Sequence, residues 1–252
     1  MTEPKFDAIL ACRVNGTRLY GKPMQLLDIE NKITILEYLV KQIQQSKHIN
    51  SIYLAIAEGK ENYGLAELAE KNGWPYVFGD TVDVLGRMLK AVDKFNTDVV
   101  FRITTDCPFL YFEGIDELYE MHMEGDFDLS KFSHLPEGAG FSLNNADALR
   151  TCHRKGASRH RSELVNSYIF DNQDEFKINT LKPEGKLCRP EVRITVDYPD
   201  DLVFCRRVYH DLKGNENLIK IPDIIDYWDK NDELRKPMEE IGIDWGHGRL
   251  WE

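Results

Sequence analysis

The fold of this chain is decided by a stretch near its N-terminus, residues 8–23, which reads AILACRVNGTRLYGKP. Its first half is an apolar run typical of a buried β-strand. Its second half is a loop with two glycines and with the cations Arg13, Arg18 and Lys22. In open α/β sheets, ligands bind beyond the carboxyl ends of the strands. Because glycine lets backbone N–H groups approach a phosphate and cations neutralise it, the stretch predicts a site for a polyanion.

The same loop raises the question of an ATPase P-loop. The segment from Gly16 to Lys22 fits the pattern G-x-x-x-x-G-K, in which the next residue is a Ser or Thr that ligates magnesium. Here the next residue is Pro23, which has no side-chain oxygen and favours extended geometry at Lys22. We therefore expect phosphate binding without an ATPase P-loop. The alternative is an ordinary strand followed by a solvated basic loop.

Composition limits the classes of function that suit the chain. Its 252 residues carry a formal net charge of −11, which disfavours a general nucleic-acid or acidic-membrane surface. An anionic substrate would then need a local basic pocket such as the loop above. The five cysteines show neither C-x-x-C nor zinc spacing, and this pattern predicts a reduced, cytoplasmic protein. No apolar run approaches the ~20 residues of a membrane span.

Strand and helix signals alternate through the first half of the chain. Strands are expected at 51–57, 76–78 and 98–104, with helices after the capping residues Thr34 and Asp83. Such alternation predicts an α/β fold in one domain, with a mainly parallel sheet and helices on both faces.

The second half of the chain is less regular. Within residues 126–185, strands are expected at 127–132 and 177–181, a turn at 137–140, and helices near 145–155 and 161–171. We interpret this segment as an acceptor-binding or subunit-contact insertion in the single domain 1–252. The alternative is a lid or a plain connector. The sheet is then expected to resume at 191–196, before a helix from Pro199 to about 212. In the tail, Trp245 and Trp251 are expected to dock onto the body of the protein.

Two carboxylates follow predicted strands. Asp106 comes after the strand 98–104, and Asp197 comes after the segment 191–196. At one edge of the sheet, facing the basic loop, they could hold Mg²⁺, which prefers one or two carboxylates together with phosphate oxygens and waters. The alternative is that each Asp caps a helix or forms a turn.

Four motifs, in order, resemble a known family. Residues 11–23 are similar to the signature A-R-x-x-S-T-R-L-P-G-K of the cytidylyltransferases that make CMP-activated sugars. The similarity is to the spore-coat polysaccharide protein F type, which is related to CMP-Kdo and acylneuraminate cytidylyltransferases. Residues 102–108 resemble R-I-T-G-D-C-P, with Thr105 at the glycine. Residues 193–202 resemble R-L-T-x-D-x-P-E-D-L, and residues 79–87 resemble G-x-x-x-D-V-L-x-R. In the first motif, Cys12 precedes the arginine, and Gly16 and Tyr20 replace a Ser and a Pro.

The resemblance implies a Rossmann-like, three-layer nucleotide-diphospho-sugar transferase fold. It implies transfer of CMP from CTP to a sugar acid or phosphorylated sugar-like acceptor, with release of pyrophosphate and with Mg²⁺ as cofactor. It is also compatible with a homodimer. Alternatives are a same-fold transferase that uses GTP or UTP, and a nucleotide-sugar-binding module without catalysis. A glycosyltransferase on this fold usually presents D-x-D, and Asp106-Cys107-Pro108 is not such a motif.

The resemblance also implies roles for particular residues. The catalytic set is Arg13, Arg18, Lys22 and Asp106. The remaining nucleotide contacts are Ala11, Cys12, Gly16, Arg87 and Thr105. The metal ligands are Asp106 and Asp197. The segment 159–168 partly matches R-E-H-V-T-P-Y, which implies acceptor contacts at His160, Glu163 and Tyr168. For Arg87 and His160, a solvated surface position is the alternative.

Overall fold

A computed structural model describes residues 3–214 and 218–240. The strands of this part are β1 (Phe6–Cys12), β2 (Leu26–Asp28), β3 (Ile33–Thr34), β4 (Ser51–Ala57), β5 (Tyr76–Gly79), β6 (Val99–Arg102), β7 (Leu129–Phe132), β8 (Ser142–Asn145) and β9 (Ile178–Leu181). Its helices are α1 (Ile35–Ile43), α2 (Tyr63–Asn72), α3 (Val84–Phe95), α4 (Ile115–Gly125), α5 (Ala146–Lys155), α6 (Ser167–Asp171), α7 (Pro199–Leu212), α8 (Ile221–Lys230) and α9 (Asp232–Glu240). Trp245 and Trp251, expected to dock the tail, lie outside the described residues.

Strand β1 lies inside the main sheet, as its apolar sequence predicts. The sheet has seven strands in the order β5-β4-β1-β6-β8-β7-β9. Strand β1 pairs in parallel with β4 and β6, and β8 is antiparallel to both of its neighbours. The expected mainly parallel sheet is confirmed. This order places the loop after β1 beside the loop after β6, so Arg13–Lys22 and Asp106 emerge at the same edge.

Helices cover both faces of the sheet. Alternation along β1 sends Ala8 and Leu10 into a core shared with α1, α2 and α4, and sends Ile9 into a core shared with α3 and α5. A third core lies beyond the sheet, where α7 and α8 pack with Leu27 and Tyr38. The predicted three-layer α/β fold is therefore confirmed.

Local capping signals are also confirmed. Glu37 N donates to Thr34 Oγ1 at 3.1 Å, and Thr34 N donates to Glu37 Oε2 at 2.8 Å, which completes the capping box of α1. Asp83 Oδ1 accepts from Gly86 N at 2.7 Å at the start of α3. Each cap satisfies backbone groups that the first turn of a helix leaves without partners.

Residues 191–196 do not form a strand of the sheet, so that prediction is wrong. Among the described residues this segment makes one isolated bridge, between Glu137 and Arg193. Its alternating Val192, Ile194 and Val196 pack instead into the third core, against α7. Alternation specifies an extended, half-buried segment, but it does not specify a strand partner.

The segment 126–185 differs from prediction in two details. The expected helix 161–171 is replaced by a 3₁₀ turn at Ser158–Arg161 and by the short α6. Strand β8 is not predicted from the sequence, because its residues SLNN include no β-branched or aromatic side chain. The segment supplies β7, β8 and β9 to the central sheet. Its role in acceptor binding or subunit contact stays a prediction.

The cysteines are distributed among the three cores. Cys12 and Cys107 lie in the core with α1, Cys152 lies in the core with α3, and Cys205 lies in the core with α7. Cys188 is half-buried, and all five thiols are free. Within residues 3–214 and 218–240, no helix is both long and apolar enough to cross a membrane.

Candidate active site

The loop after β1 is shaped by its two glycines. Gly21 has a φ of 65° and donates from its N–H to Val14 O at 2.7 Å, which folds the loop back on itself. Lys22 then begins a short 3₁₀ turn, Lys22–Met24, in which Pro23 is the second residue. A Cβ on Gly16 would collide with the Leu19 carbonyl group. A side chain at position 16 would therefore require the backbone of this loop to shift.

Lys22 joins the two carboxylates that sequence patterns single out. Its Nζ lies 2.6 Å from Asp197 Oδ1 and 3.2 Å from Asp106 Oδ2. Burial disfavours the charged ammonium, but Asp106 and Asp197 outweigh it and raise the pKa of Lys22. The two carboxylate segments also meet directly, since Val196 N donates to Asp106 O at 2.9 Å. The structure therefore brings Lys22, Asp106 and Asp197 together.

The other two cations of the loop point to different partners. Arg18 donates to Asp197 Oδ1 at 2.9 Å, and its guanidinium lies 4.9 Å from the centre of the Tyr198 ring. Arg13 forms an exposed ion pair of 3.2 Å with Glu163. The loop thus contacts Asp197 through Arg18 and the predicted acceptor segment through Arg13.

Arg193 and Asp201 are part of the site, and sequence reasoning missed them. Arg193, 2% exposed, donates from Nη2 to Asp197 Oδ2 at 2.8 Å and to Asp201 Oδ2 at 3.0 Å. From Nη1 it donates to Glu137 Oε1 at 2.7 Å. Asp201 Oδ2 also accepts from the N–H groups of Asp197 and Tyr198 at 2.8 and 2.9 Å. The signal was available, because both residues are fixed letters of the motif that contains Asp197.

This network keeps Asp197 ionised. Burial alone would raise the pKa of its carboxyl group, but the hydrogen bonds and charges of Lys22 and Arg193 outweigh that effect and lower it. Arg193 itself is held charged: burial opposes its charge, but Asp201 and Glu137 together raise its pKa. The result is a charged anchor, Arg193, behind a carboxylate that faces the loop.

Three predicted nucleotide contacts, Arg87, Thr105 and Cys12, lie near the carboxyl ends of the parallel strands β1, β4 and β5. Arg87 is buried, not solvated, and donates to the carbonyl oxygens of Ala55 at 3.0 Å and Asp80 at 2.7 Å. Thr105 Oγ1 donates to Ala11 O at 3.3 Å, which ties the end of β1 to the loop after β6. The buried Cys12 lies beside these residues, and burial raises the pKa of its thiol to about 12. Their contact with a nucleotide stays a prediction.

The predicted acceptor residues divide into one exposed and two buried side chains. Glu163 is exposed beside Arg13, and its backbone carbonyl accepts from Arg102 Nη2 at 2.6 Å. His160 is buried, so a surface position is wrong for it. Its Nδ1 accepts from Ala157 N at 2.9 Å, and its Nε2 lies 2.9 Å from Asp171 Oδ2. The buried Tyr168 packs edge-on against the His160 ring. Glu163 alone of the three faces the loop after β1, and the acceptor role stays a prediction.

Known proteins are similar to this chain in sequence. The cytidylyltransferase family matches residues 8–213. An uncharacterized protein of Methanocaldococcus jannaschii is 30% identical over 233 residues, which cover 92% of this chain and 93% of the relative. The spore coat polysaccharide biosynthesis protein SpsF of Bacillus subtilis is 25% identical over 203 residues, 80% of this chain and 85% of SpsF.

A solved structure extends the likeness to the fold. A cytidylyltransferase from Leptospira borgpetersenii superposes with a TM-score of 0.82 at 21% identity, covering 92% of this chain and 97% of the other. The family match spans the loop after β1, Asp106 and Asp197, which are the residues that the structure gathers around Lys22. By sequence and by fold, this chain belongs to the cytidylyltransferase family.

Proposed function

We propose that this protein transfers CMP from CTP to an oxygen of a small-molecule acceptor and releases pyrophosphate. The observation that carries the proposal is the meeting of Lys22 and Arg18 with Asp106 and Asp197 at the carboxyl edge of the sheet. Cations for a triphosphate and carboxylates for a metal lie within hydrogen-bonding distance of one another. Membership of the cytidylyltransferase family supports cytosine as the base.

The donor set fits Mg²⁺. Among residues 3–214 and 218–240, no group of three or more His, Cys, Asp and Glu side chains is arranged to hold a metal. A pair of carboxylates is nevertheless what Mg²⁺ uses when phosphate oxygens and waters complete its shell. The positively charged Lys22 Nζ already lies between the two carboxylates, so a cation fits at this position. Asp106 and Asp197 would hold the ion, and the bound ion would neutralise charge that develops on the phosphates.

In this reaction the protein positions the two substrates and neutralises phosphate charge, and it forms no covalent bond to either substrate. An acceptor oxygen attacks the α-phosphorus of CTP, and the bond from that phosphorus to the bridging oxygen of pyrophosphate breaks. Lys22, Arg18 and Arg13 would bind the triphosphate and hold its α-phosphorus in line with the acceptor. Arg193 would keep Asp197 oriented toward them. Backbone N–H groups of the loop 13–22 would line the phosphates.

We propose a sugar acid or a phosphorylated sugar-like molecule as the acceptor, in the synthesis of surface polysaccharide precursors. The resemblance to cytidylyltransferases of CMP-activated sugars supports this class, as does the likeness to SpsF. Glu163, beside Arg13, is the exposed residue that best suits contact with acceptor hydroxyls. The free thiols agree with a reducing, cytoplasmic location. Residues 126–185 would contribute the acceptor side of the site or a dimer contact.

A nucleotide panel tests the proposal. CTP, UTP, GTP and ATP are each added with and without Mg²⁺, and the melting temperature is recorded. A ligand at about a hundred times its Kd adds roughly 2.7 kcal/mol of stability by mass action. We expect CTP with Mg²⁺ to give the largest shift and to support pyrophosphate release when a sugar acid acceptor is present. Larger shifts with GTP or UTP would reassign the base, and binding of CTP without pyrophosphate release from any acceptor would favour a non-catalytic module.

A further inference from the structure

The ammonium group of Lys22 occupies the space between the two carboxylates proposed to hold a divalent cation. Its Nζ is within 3.2 Å of Asp106 and 2.6 Å of Asp197, and its side chain is 15% exposed. Like charges at such short range repel strongly, especially where water is scarce. Lys22 in this position and a divalent cation on the same oxygens therefore exclude each other.

Arg18 reinforces the same arrangement. Asp197 Oδ1 accepts from both Arg18 and Lys22, while Oδ2 is held from the buried side by Arg193. Two of the three cations assigned to the triphosphate, Lys22 and Arg18, are thus paired with the carboxylates assigned to the metal. Because Arg193 anchors the far oxygen, Lys22 and Arg18 can leave while Asp197 keeps its place.

We propose that Lys22 is an internal stand-in for the divalent cation, and that nucleotide and metal displace it together. The triphosphate binds Lys22 and Arg18 as they leave the carboxylates, and the metal that accompanies the phosphates takes the vacated oxygens. This inference rests on the proposed function, since it needs a metal-bound triphosphate as ligand. It makes the metal site dependent on the nucleotide. By linkage, each ligand raises the affinity of the other by the same factor.

The nucleotide-free arm of the test uses Mn²⁺ as the probe. Calorimetric titrations compare wild type with Lys22→Met, which keeps a similar length of side chain and removes the charge. Lys47→Met is the matched control, because Lys47 is an exposed lysine paired with Glu120 on α4. We expect Lys22→Met to bind Mn²⁺ roughly 5- to 150-fold more tightly than wild type, the usual range for coupled sites. Lys47→Met should match wild type, and adding Asp197→Asn to Lys22→Met should abolish the gain.

The nucleotide arm uses wild type alone, so it does not depend on the folding of a variant. We expect CTP to tighten Mn²⁺ binding, and Mn²⁺ to tighten CTP binding, by one common factor of roughly 5 to 150. In Lys22→Met that factor should be smaller. Lys22→Ala replaces Lys22→Met if the latter does not give a cooperative melt.

Two results would overturn the stand-in role. One is that a folded Lys22→Met or Lys22→Ala variant binds Mn²⁺ no more tightly than Lys47→Met. The other is that wild type binds Mn²⁺ equally well with and without bound CTP. Failure of the proposed function looks different: CTP would not bind wild type at all, while the nucleotide-free comparison would still decide whether Lys22 competes with the metal.

Discussion

The two carboxylate oxygens of Asp197 have different partners. Oδ2 is fixed by the buried Arg193, and Oδ1 faces Lys22 and Arg18. An Asn at position 197 keeps the size of the side chain and one acceptor, but it removes the charge that Mg²⁺ requires. We expect Asp197→Asn and Asp106→Asn each to lower the rate of pyrophosphate release about a hundredfold or more, as for other losses of transition-state charge stabilisation.

The matched control for these variants is Asp200→Asn, a carboxylate on the first turn of α7. It should retain near-normal turnover with CTP and a competent acceptor. The double variant Asp106→Asn/Asp197→Asn should be little slower than either single variant, since residues that act as one unit are not additive. Normal turnover in either single variant would remove that carboxylate from the metal site.

Arg193 stabilises the folded protein as well as the site. Its partner Asp201 is only 1% exposed, so removing the guanidinium leaves a buried carboxylate without its cation. We expect Arg193→Met to lower the free energy of unfolding by about 3–5 kcal/mol, the usual cost of breaking a buried ion pair. Urea titration measures this loss. The further change Asp201→Asn should recover part of it, because the two side chains are in direct contact. A loss below 1 kcal/mol in Arg193→Met would contradict this interpretation.

At the scale of elements, α4 and β7 are joined by a titratable contact. His122 on α4 is 2% exposed and lies 2.8 Å from Ser130 Oγ on β7. Burial lowers the pKa of its imidazole to about 4, against the partial opposition of Asp128 and Asp126. Between pH ~6.5 and ~4 the unfolded chain therefore binds a proton at this position that the folded chain excludes.

The free energy of unfolding should then fall as the pH falls from ~6.5 to ~4. The His122 contribution to this fall is up to about 3 kcal/mol, since one pKa unit corresponds to about 1.4 kcal/mol. His122→Asn should flatten that part of the profile in urea titrations at several pH values. His210→Asn, at an exposed histidine on α7, should leave it unchanged. Parallel profiles for wild type and His122→Asn would refute the assignment.

Local signals suffice to predict some elements and not others. Helices α1 and α3 follow from caps and apolar periodicity within their own sequence, and α7 begins where Pro199 predicts it. Strand β8 cannot be predicted in this way, because its polar residues become buried only in the folded sheet, where β8 lies between β6 and β7. The segment 191–196 shows the converse, since its alternation is satisfied by packing on α7 and not by a strand partner.

The candidate site also has features that can be predicted from the sequence and features that cannot. The meeting of Lys22, Asp106 and Asp197 is predictable, because each residue follows a strand or an extended segment and carries a recognisable motif. The direct contact of Lys22 with both carboxylates is not, because it depends on how the loop folds back at Gly21. The burial of Arg193 with Asp201 depends on the third core, which forms from segments far apart in sequence.

At the scale of the whole molecule, three cores support one site. The loop after β1 contacts two of them, since Val14 lies in the core with α1 and Leu19 packs against the core with α7 and α8. Asp106 adjoins the first of these cores through Cys107, and Asp197 adjoins the second through Val196. The site is therefore completed only when the third core is packed against the rest. A substitution in α7 or α8 that loosens this core should weaken CTP binding, although it replaces no residue that is proposed to contact the nucleotide.

Each of the three cores contains at least one buried cysteine, so the rate at which that thiol is modified reports how often the core opens. Cys152 and Cys205 belong to different cores, and Cys12 and Cys107 share the remaining one. A thiol reagent in native buffer should modify the half-buried Cys188 at once, and the other four only as fast as their surroundings open. Mass spectrometry of time points would then rank the opening of the three cores without any introduced probe. If Cys205 and Cys152 react at one rate, the chain opens as a unit; if Cys205 reacts first, the half of the site that carries Asp197 comes apart before the sheet does.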